Sequence, residues 1–205
     1  MRVGWGGAVS PPQHTALAAM HPEFDLPSQG NIKGRSSSIT AAFIQSIIPV
    51  VEPEDSEVDR AISILGMKPG KVVCAYCGDP RTEWDHFRPI VMNKRPTGYI
   101  TELANLVPAC GKCNQSKGNK DWEVWILSSA KRSPKTRGII DLDQRIERLR
   151  LYESTFEPMK LDFEAVVGPE MYQQHWSNWE SIVTAMETAQ QFAVQVRKRI
   201  SDSDS

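Results

Sequence analysis

The chemistry legible in this sequence lies in four cysteines and in the acid, imidazole and amide side chains between and after them. The cysteines form two pairs, Cys74-Ala-Tyr-Cys77 and Cys110-Gly-Lys-Cys113, separated by 32 residues. A two-residue knuckle aims both of its thiolates at one point, so two knuckles supply four soft ligands, the set that suits tetrahedral Zn²⁺. Four thiolates leave the ion no open position, so it is expected to be structural and to lend folding energy to a small module. Two disulfides or four buried free thiols would satisfy the same count, but an intracellular chain disfavours disulfides.

Between the knuckles stands Trp84-Asp85-His86-Phe87-Arg88-Pro89. Asn105-Leu106-Val107-Pro108-Ala109 leads into the second knuckle, and Asn114-Gln115-Ser116-Lys117-Gly118-Asn119 follows it. Phosphodiester hydrolysis needs an activated water, an electrophilic metal near the scissile phosphate and neutralisation of charge. His86 suits the general base, because imidazole titrates near working pH. Neighbours on a strand point to opposite faces. Asp85 and His86 therefore serve one site only if the backbone kinks or the site wraps the end of the strand.

These elements, in this order, resemble the HNH (ββα-metal) nucleases over about residues 72–122. Their pattern is C-x-x-C, then D-H on a strand, then N-L before a second C-x-x-C, then H or N with a nearby K-G. The wording CAYCG, DHFRPI and ACGKCNQSKGNK is similar to small bacterial restriction and phage-defence members. The resemblance implies that Asp85 and Asn114 bind the catalytic metal and that His86 takes a proton from water. It also implies that Asn105 ties the hairpin and orients the histidine. One carboxylate and one amide are hard oxygen donors suited to Mg²⁺ or Mn²⁺. The implied products carry 5′-phosphate and 3′-hydroxyl ends. Arg88, Lys112, Lys117 and Lys120 are the cations nearest these motifs and the expected phosphate contacts.

The fold expected to position these groups is α+β, a ββα-metal core stapled by the cysteines and framed by mostly helical extensions. Residues 1–37, rich in Gly, Pro, Ser and Gln, read as a loop-rich arm, and 38–70 as a helical lead-in with helices over 38–48 and 53–66. The core spans 71–127. It has a short strand over Lys71–Cys74, a hairpin of 83–91 with 99–107, a helix over Gly111–Lys117, and a further helix capped by Asp121. The basic stretch 128–138 reads as an exposed loop. The C-terminal region 128–200 is otherwise helical, with one helix over 141–156, which has Leu142, Ile146, Leu149 and Tyr152 on one face, and one over 170–200, which has an apolar stripe from Tyr172 to Ile200. Core packing is the favoured reading of that stripe and a dimer interface the other. The tail 201–205 is expected to be disordered.

The chain has 205 residues and a net charge of −1, an average that hides a division. Residues 68–137 hold 13 Lys/Arg against 6 Asp/Glu, a local charge of +7 that leaves −8 for the remainder. A basic segment in an acidic frame attracts polyphosphate locally. No apolar run approaches the roughly 20 residues of a membrane span, and MRVGWGGAVSPPQ has no signal-like apolar region. The expected setting is the cytoplasm and the expected partner DNA, with a homodimer or a larger defence complex as further possibilities. A zinc ribbon that binds without cutting, and a nuclease subunit inert outside its complex, are the rival readings. His14, His21 and His175 lack chemical company and read as structural or incidental.

Overall fold

Helix signals in the first half of the chain are local and strong, and the computed structural model, which describes residues 27–203, bears them out. Helix α1 covers Ser36–Gln45 and turns Thr40 and Ile44 inward. Helix α2 covers Asp55–Ile64 and opens on a reciprocal capping box between Glu54 and Glu57. Gly66 follows with φ +73°, a conformation a side chain would strain. Residues 1–26, most of the expected arm with His14 and His21, lie outside the described residues.

The strand expected over Lys71–Cys74 does not form, because its residues make only isolated bridges, Lys68 with Lys71 and Val73 with Pro80. The first knuckle is a tight turn instead. Cys74 N–H donates to the Asp79 carbonyl and Gly78 N–H to the Cys74 carbonyl, each at 2.8 Å. The hairpin pairs as expected but over a shorter ladder. Strand β1 (Glu83–His86) runs antiparallel to β4 (Leu106–Ala109), with Glu83 opposite Ala109 and His86 opposite Leu106. A two-rung hairpin, β2 (Val91–Met92) with β3 (Arg95–Pro96), fills part of the connection. Its turn residues Asn93 and Lys94 both have positive φ, the twist that suits a two-residue hairpin loop.

Helix α3 (Gly111–Lys117) opens at the second knuckle, as expected. Helix α4 (Trp122–Ile126) is capped by Asp121, whose carboxylate accepts from the N–H groups of Glu123 and Val124. The 128–138 stretch is more ordered than its composition implies. Ser133 is buried and donates to the Ser128 carbonyl at 2.7 Å, and Arg137 bonds Asp79 at 2.7 Å. Helix α5 (Leu142–Thr155) buries Ile146, Leu149 and Tyr152. The short α6 (Phe163–Val167), capped by Asp162, was not expected. Helix α7 (Pro169–Ser203) continues through residues 201–203, where a disordered tail was expected.

Two apolar clusters hold these elements. The larger packs Tyr76, Phe87, Val107, Trp122, Trp125, Ile146, Leu149 and Tyr152 around the knuckles and the ladder. The smaller joins Ile44 and Ile48, from α1 and the turn after it, to Ile90, Ile100, Phe163 and Trp176. The stripe of α7 therefore divides. Trp176 is buried and Tyr172 and Trp179 half-buried, whereas Phe192, Val196 and Ile200 are exposed. Trp122 stacks on Phe87, the residue after His86, with ring centroids 5.0 Å apart. Trp122→Ala should cost about 3–5 kcal/mol, read as a lower denaturant midpoint; a variant as stable as wild type would contradict this packing.

Candidate active site and its cysteine cluster

The four cysteine sulfurs lie within 4.8 Å of one another, and all four residues are buried. Sulfurs at about 2.3 Å from a central zinc sit about 3.8 Å apart along each tetrahedron edge. Cys77 Sγ and Cys110 Sγ stand 3.7 Å apart. The cluster therefore fits a zinc ion by donor type and spacing. Without a cation its thiols cannot all ionise. Hydrogen bonds to Cys74 and Cys77, then burial, push Cys113 far up, while bonds from Cys113 and Cys74 hold Cys77 far down. Arg137 places its guanidinium 3.6 Å from Cys113 Sγ and 2.7 Å from Asp79. That cation offsets the negative charge a four-thiolate zinc site would carry. Sequence reading counted Arg137 only as one basic residue of a loop.

His86 is the last residue of β1, and the question of opposite faces is settled there. Asp85, His86 and Asn114 line one cleft of about 600 Å³ at the strand's end, so the site wraps it. Asp85 is buried; its carboxylate accepts from the Tyr76 hydroxyl at 2.7 Å and lies 3.1 Å from Lys117 Nζ. Burial pushes Asp85 up and Lys117 down, and each partner opposes the other's shift. Burial also holds Tyr76 well above the usual phenol range, so it stays a donor.

His86 Nε2 lies 2.8 Å from Thr101 Oγ1. Thr101 is itself anchored, its N–H donating to the Pro49 carbonyl at 3.1 Å and its carbonyl accepting from Val51 N–H at 2.9 Å. In the tautomer whose Nε2–H donates to Thr101 Oγ1, Nδ1 carries the lone pair. Burial, then the Lys117 charge, lowers the His86 pKa from 6.5 to about 4. The ring is thus neutral at pH 7, the form that accepts a proton.

Asn114 Nδ2 donates to Glu83 Oε2 at 2.5 Å. A carboxylate only accepts, so this bond fixes the amide and leaves Oδ1 as its free oxygen donor. Glu83 shares a face of β1 with Asp85 by strand alternation, a signal available in the sequence. Asn105 is buried and bonds backbone groups rather than the His86 ring. Its Oδ1 accepts from Arg88 N–H at 2.7 Å and its Nδ2 donates to the Ile100 carbonyl at 3.1 Å. It thereby ties the chain on both sides of the connection, while the ring of His86 is held by Thr101.

The expected phosphate contacts need revision. Lys117 is fully buried against Asp85 and donates to the His86 carbonyl at 2.8 Å, so its ammonium does not reach a surface phosphate. Arg88 is paired with Glu153 and lies 3.5 Å from Asp121. Lys112 is exposed, 4.0 Å from Asp79, and Lys120 caps the end of α3 through the Ser116 and Lys117 carbonyls. The lysines that line the cleft are Lys33 and Lys94, with Ser36, Ser37 and Thr40 of α1 on the wall facing the core. Sequence reading missed this wall because it assigned the chain before residue 38 to a loop. His175 does not line the cleft; its Nε2 lies 3.1 Å from the Phe43 carbonyl.

Two measurements follow from this geometry. An NMR titration of the metal-loaded cluster protein, free of other divalent ions, should place the His86 midpoint near pH 4 rather than 6.5. Above that midpoint the base is available, and it is lost as pH falls through it; a midpoint at 6.5 would refute the burial argument. Chelation of the cluster's metal at pH 7 should collapse the near-ultraviolet dichroism of Tyr76 and Trp125, whose rings meet edge-on at 5.2 Å. An unchanged spectrum would mean that the cluster does not organise this core.

Residues 74–120 match the family model described as HNH endonuclease. The chain is also 30% identical over 135 residues to the CRISPR-associated endonuclease Cas9 of Corynebacterium diphtheriae (strain ATCC 700971 / NCTC 13129 / Biotype gravis), a match covering 62% of this chain and 11% of that protein. The chain thus spans about a ninth of that relative's length, and the aligned stretch runs well beyond the family segment. No solved structure matches. With the D-H pair at a strand end, Asn114 beside it and the paired cysteines beneath, residues 74–120 of this chain form an HNH endonuclease domain.

Proposed function

We propose that this protein is a metal-dependent DNA endonuclease. The observation that carries this reading is the convergence on one cleft of the adjacent Asp85 and His86 with Asn114, 28 residues further along the chain; burial of the imidazole favours its neutral form there. Asp85 and Asn114 Oδ1 are the donors that would hold Mg²⁺ or Mn²⁺, and such an ion would polarise the scissile phosphate and stabilise the leaving oxygen. His86 Nδ1 takes the proton of the attacking water. Thr101 keeps the ring oriented, and Asn105 ties the backbone at Arg88, two residues after His86, to that at Ile100, just before Thr101. Glu83 holds the Asn114 amide with its oxygen free.

DNA as the substrate is supported by the local positive charge of residues 68–137 and by Lys94 along the cleft, whose other lysine, Lys33, is paired with Glu187. A restriction or phage-defence role in the cytoplasm is supported by the family wording of the motifs and by the printed name of the Cas9 relative. One such site cuts one strand per event, so double-strand cleavage calls for a second copy. The exposed apolar half of α7, with Phe192, Val196 and Ile200, offers a surface for it. A subunit that cuts only within a larger defence complex is the second reading, favoured by the small share of the relative that the chain spans. A zinc ribbon that only binds has no need of the Asp85, His86 and Asn114 convergence.

Supercoiled plasmid and phage DNA, digested with Mg²⁺ or Mn²⁺, should be cut by wild type and not by His86→Ala at equal zinc content. The expected loss is at least about 100-fold, the scale of a general base. Intact DNA after incubation with folded, zinc-loaded wild type would defeat the autonomous-nuclease reading.

A further inference from the structure

Asp85 is gripped by one group from each cysteine knuckle. Tyr76 sits between Cys74 and Cys77 and donates its hydroxyl to Asp85 Oδ2 at 2.7 Å. Lys117 stands four residues after Cys113, one helical turn along α3, and its ammonium lies 3.1 Å from the same oxygen and 3.3 Å from Oδ1. Tyr76 has no freedom to do otherwise. Its residue is fully buried, its ring meets Trp125 edge-on, and Ala75 N–H before it bonds the Pro108 carbonyl of β4 at 2.8 Å. The Tyr76 ring is therefore held by its packing on Trp125 and by a backbone pinned between the two cysteines of the knuckle.

From this arrangement we infer that Tyr76 is a positioning residue through which occupancy of the cysteine cluster fixes the Asp85 carboxylate for the catalytic cation. The inference rests on the nuclease reading above and adds a residue and a coupling to it. The first knuckle's turn is closed by its own backbone hydrogen bonds, and zinc on Cys74 and Cys77 would lock it. The turn aims the phenol, and the phenol holds one carboxylate oxygen, limiting rotation of the carboxylate about its own axis. Lys117, carried by the second knuckle, approaches the same group by charge. A ligand oriented by an outer hydrogen bond loses about 10–100-fold in metal affinity when that bond is removed.

The test uses the full zinc-loaded chain and Mn²⁺ as the probe, with binding read by electron paramagnetic resonance. Tyr76→Phe should keep its zinc and its far-ultraviolet spectrum, bind Mn²⁺ about 10-fold more weakly, and need correspondingly more Mg²⁺ for half-maximal cleavage. Tyr152→Phe serves as the comparison. That buried hydroxyl donates to the Leu103 and Leu106 carbonyls, so its loss should lower thermal stability and leave Mn²⁺ affinity alone. Unchanged Mn²⁺ affinity in Tyr76→Phe would overturn the inference while leaving the nuclease reading intact. Loss of zinc by Tyr76→Phe would overturn it too, since the hydroxyl would then serve the cluster itself. A wild type that neither binds Mn²⁺ nor cuts DNA would instead remove the nuclease reading on which the inference stands.

Discussion

Four sulfurs within 4.8 Å of one another are the constraint around which this domain is arranged. So close a set of buried thiols repels itself as it ionises, and a divalent cation is the remedy that also fixes direction. Asp85, His86 and Asn114 are hung on the chain leading out of that cluster. Strand β1 leaves the first knuckle and ends at His86, while β4 enters the second knuckle and α3 leaves it. The ladder between them sets Asp85 opposite Val107. Arg137 approaches from a distant loop and places positive charge against the sulfurs, which lets a site of excess negative charge stay buried.

A second constraint is the cost of burying Asp85 and Lys117 together. Neither ion would remain charged alone in this interior, and the pair survives because a phenol and a backbone carbonyl take up their remaining hydrogen-bonding capacity. Such a pair is poor evidence for added stability. Its value lies in specifying one orientation, and here the oriented group is the carboxylate at the edge of the cleft.

The chemistry was more legible in the sequence than the architecture around it. The cysteine spacing, the D-H pair, Asn105, Asn114 and the Asp121 cap are short-range signals, each carried by residue type at fixed intervals, and the structure brings the first four to one region. Lys117 was misread because a lysine beside a glycine after a knuckle looks like surface charge; its burial is decided by Asp85, 32 residues earlier. Thr101 was invisible because its hold on His86 depends on pairing with Pro49–Val51, a contact between segments some 50 residues apart. The strand expected at Lys71–Cys74 failed because the knuckle's turn competes with extended pairing. The α1 wall of the cleft was missed for a similar reason: the helix itself was expected over 38–48, but its start at Ser36 and its place beside the core depend on partners far along the chain.

The anchoring of Thr101 by Pro49 and Val51 bears on what could be moved from one protein to another. The segment 74–120 contains every residue of the family signature, yet the strut that steadies the base's partner comes from outside it, as do α1 and Trp179 on the cleft wall. A graft of the signature alone would carry the ligands and leave the imidazole without its outer brace. The inheritable module is in this sense larger than its motif, and insertion into a new host would be tolerated best at boundaries that keep the lead-in helix and the first turns of α7 together with the core.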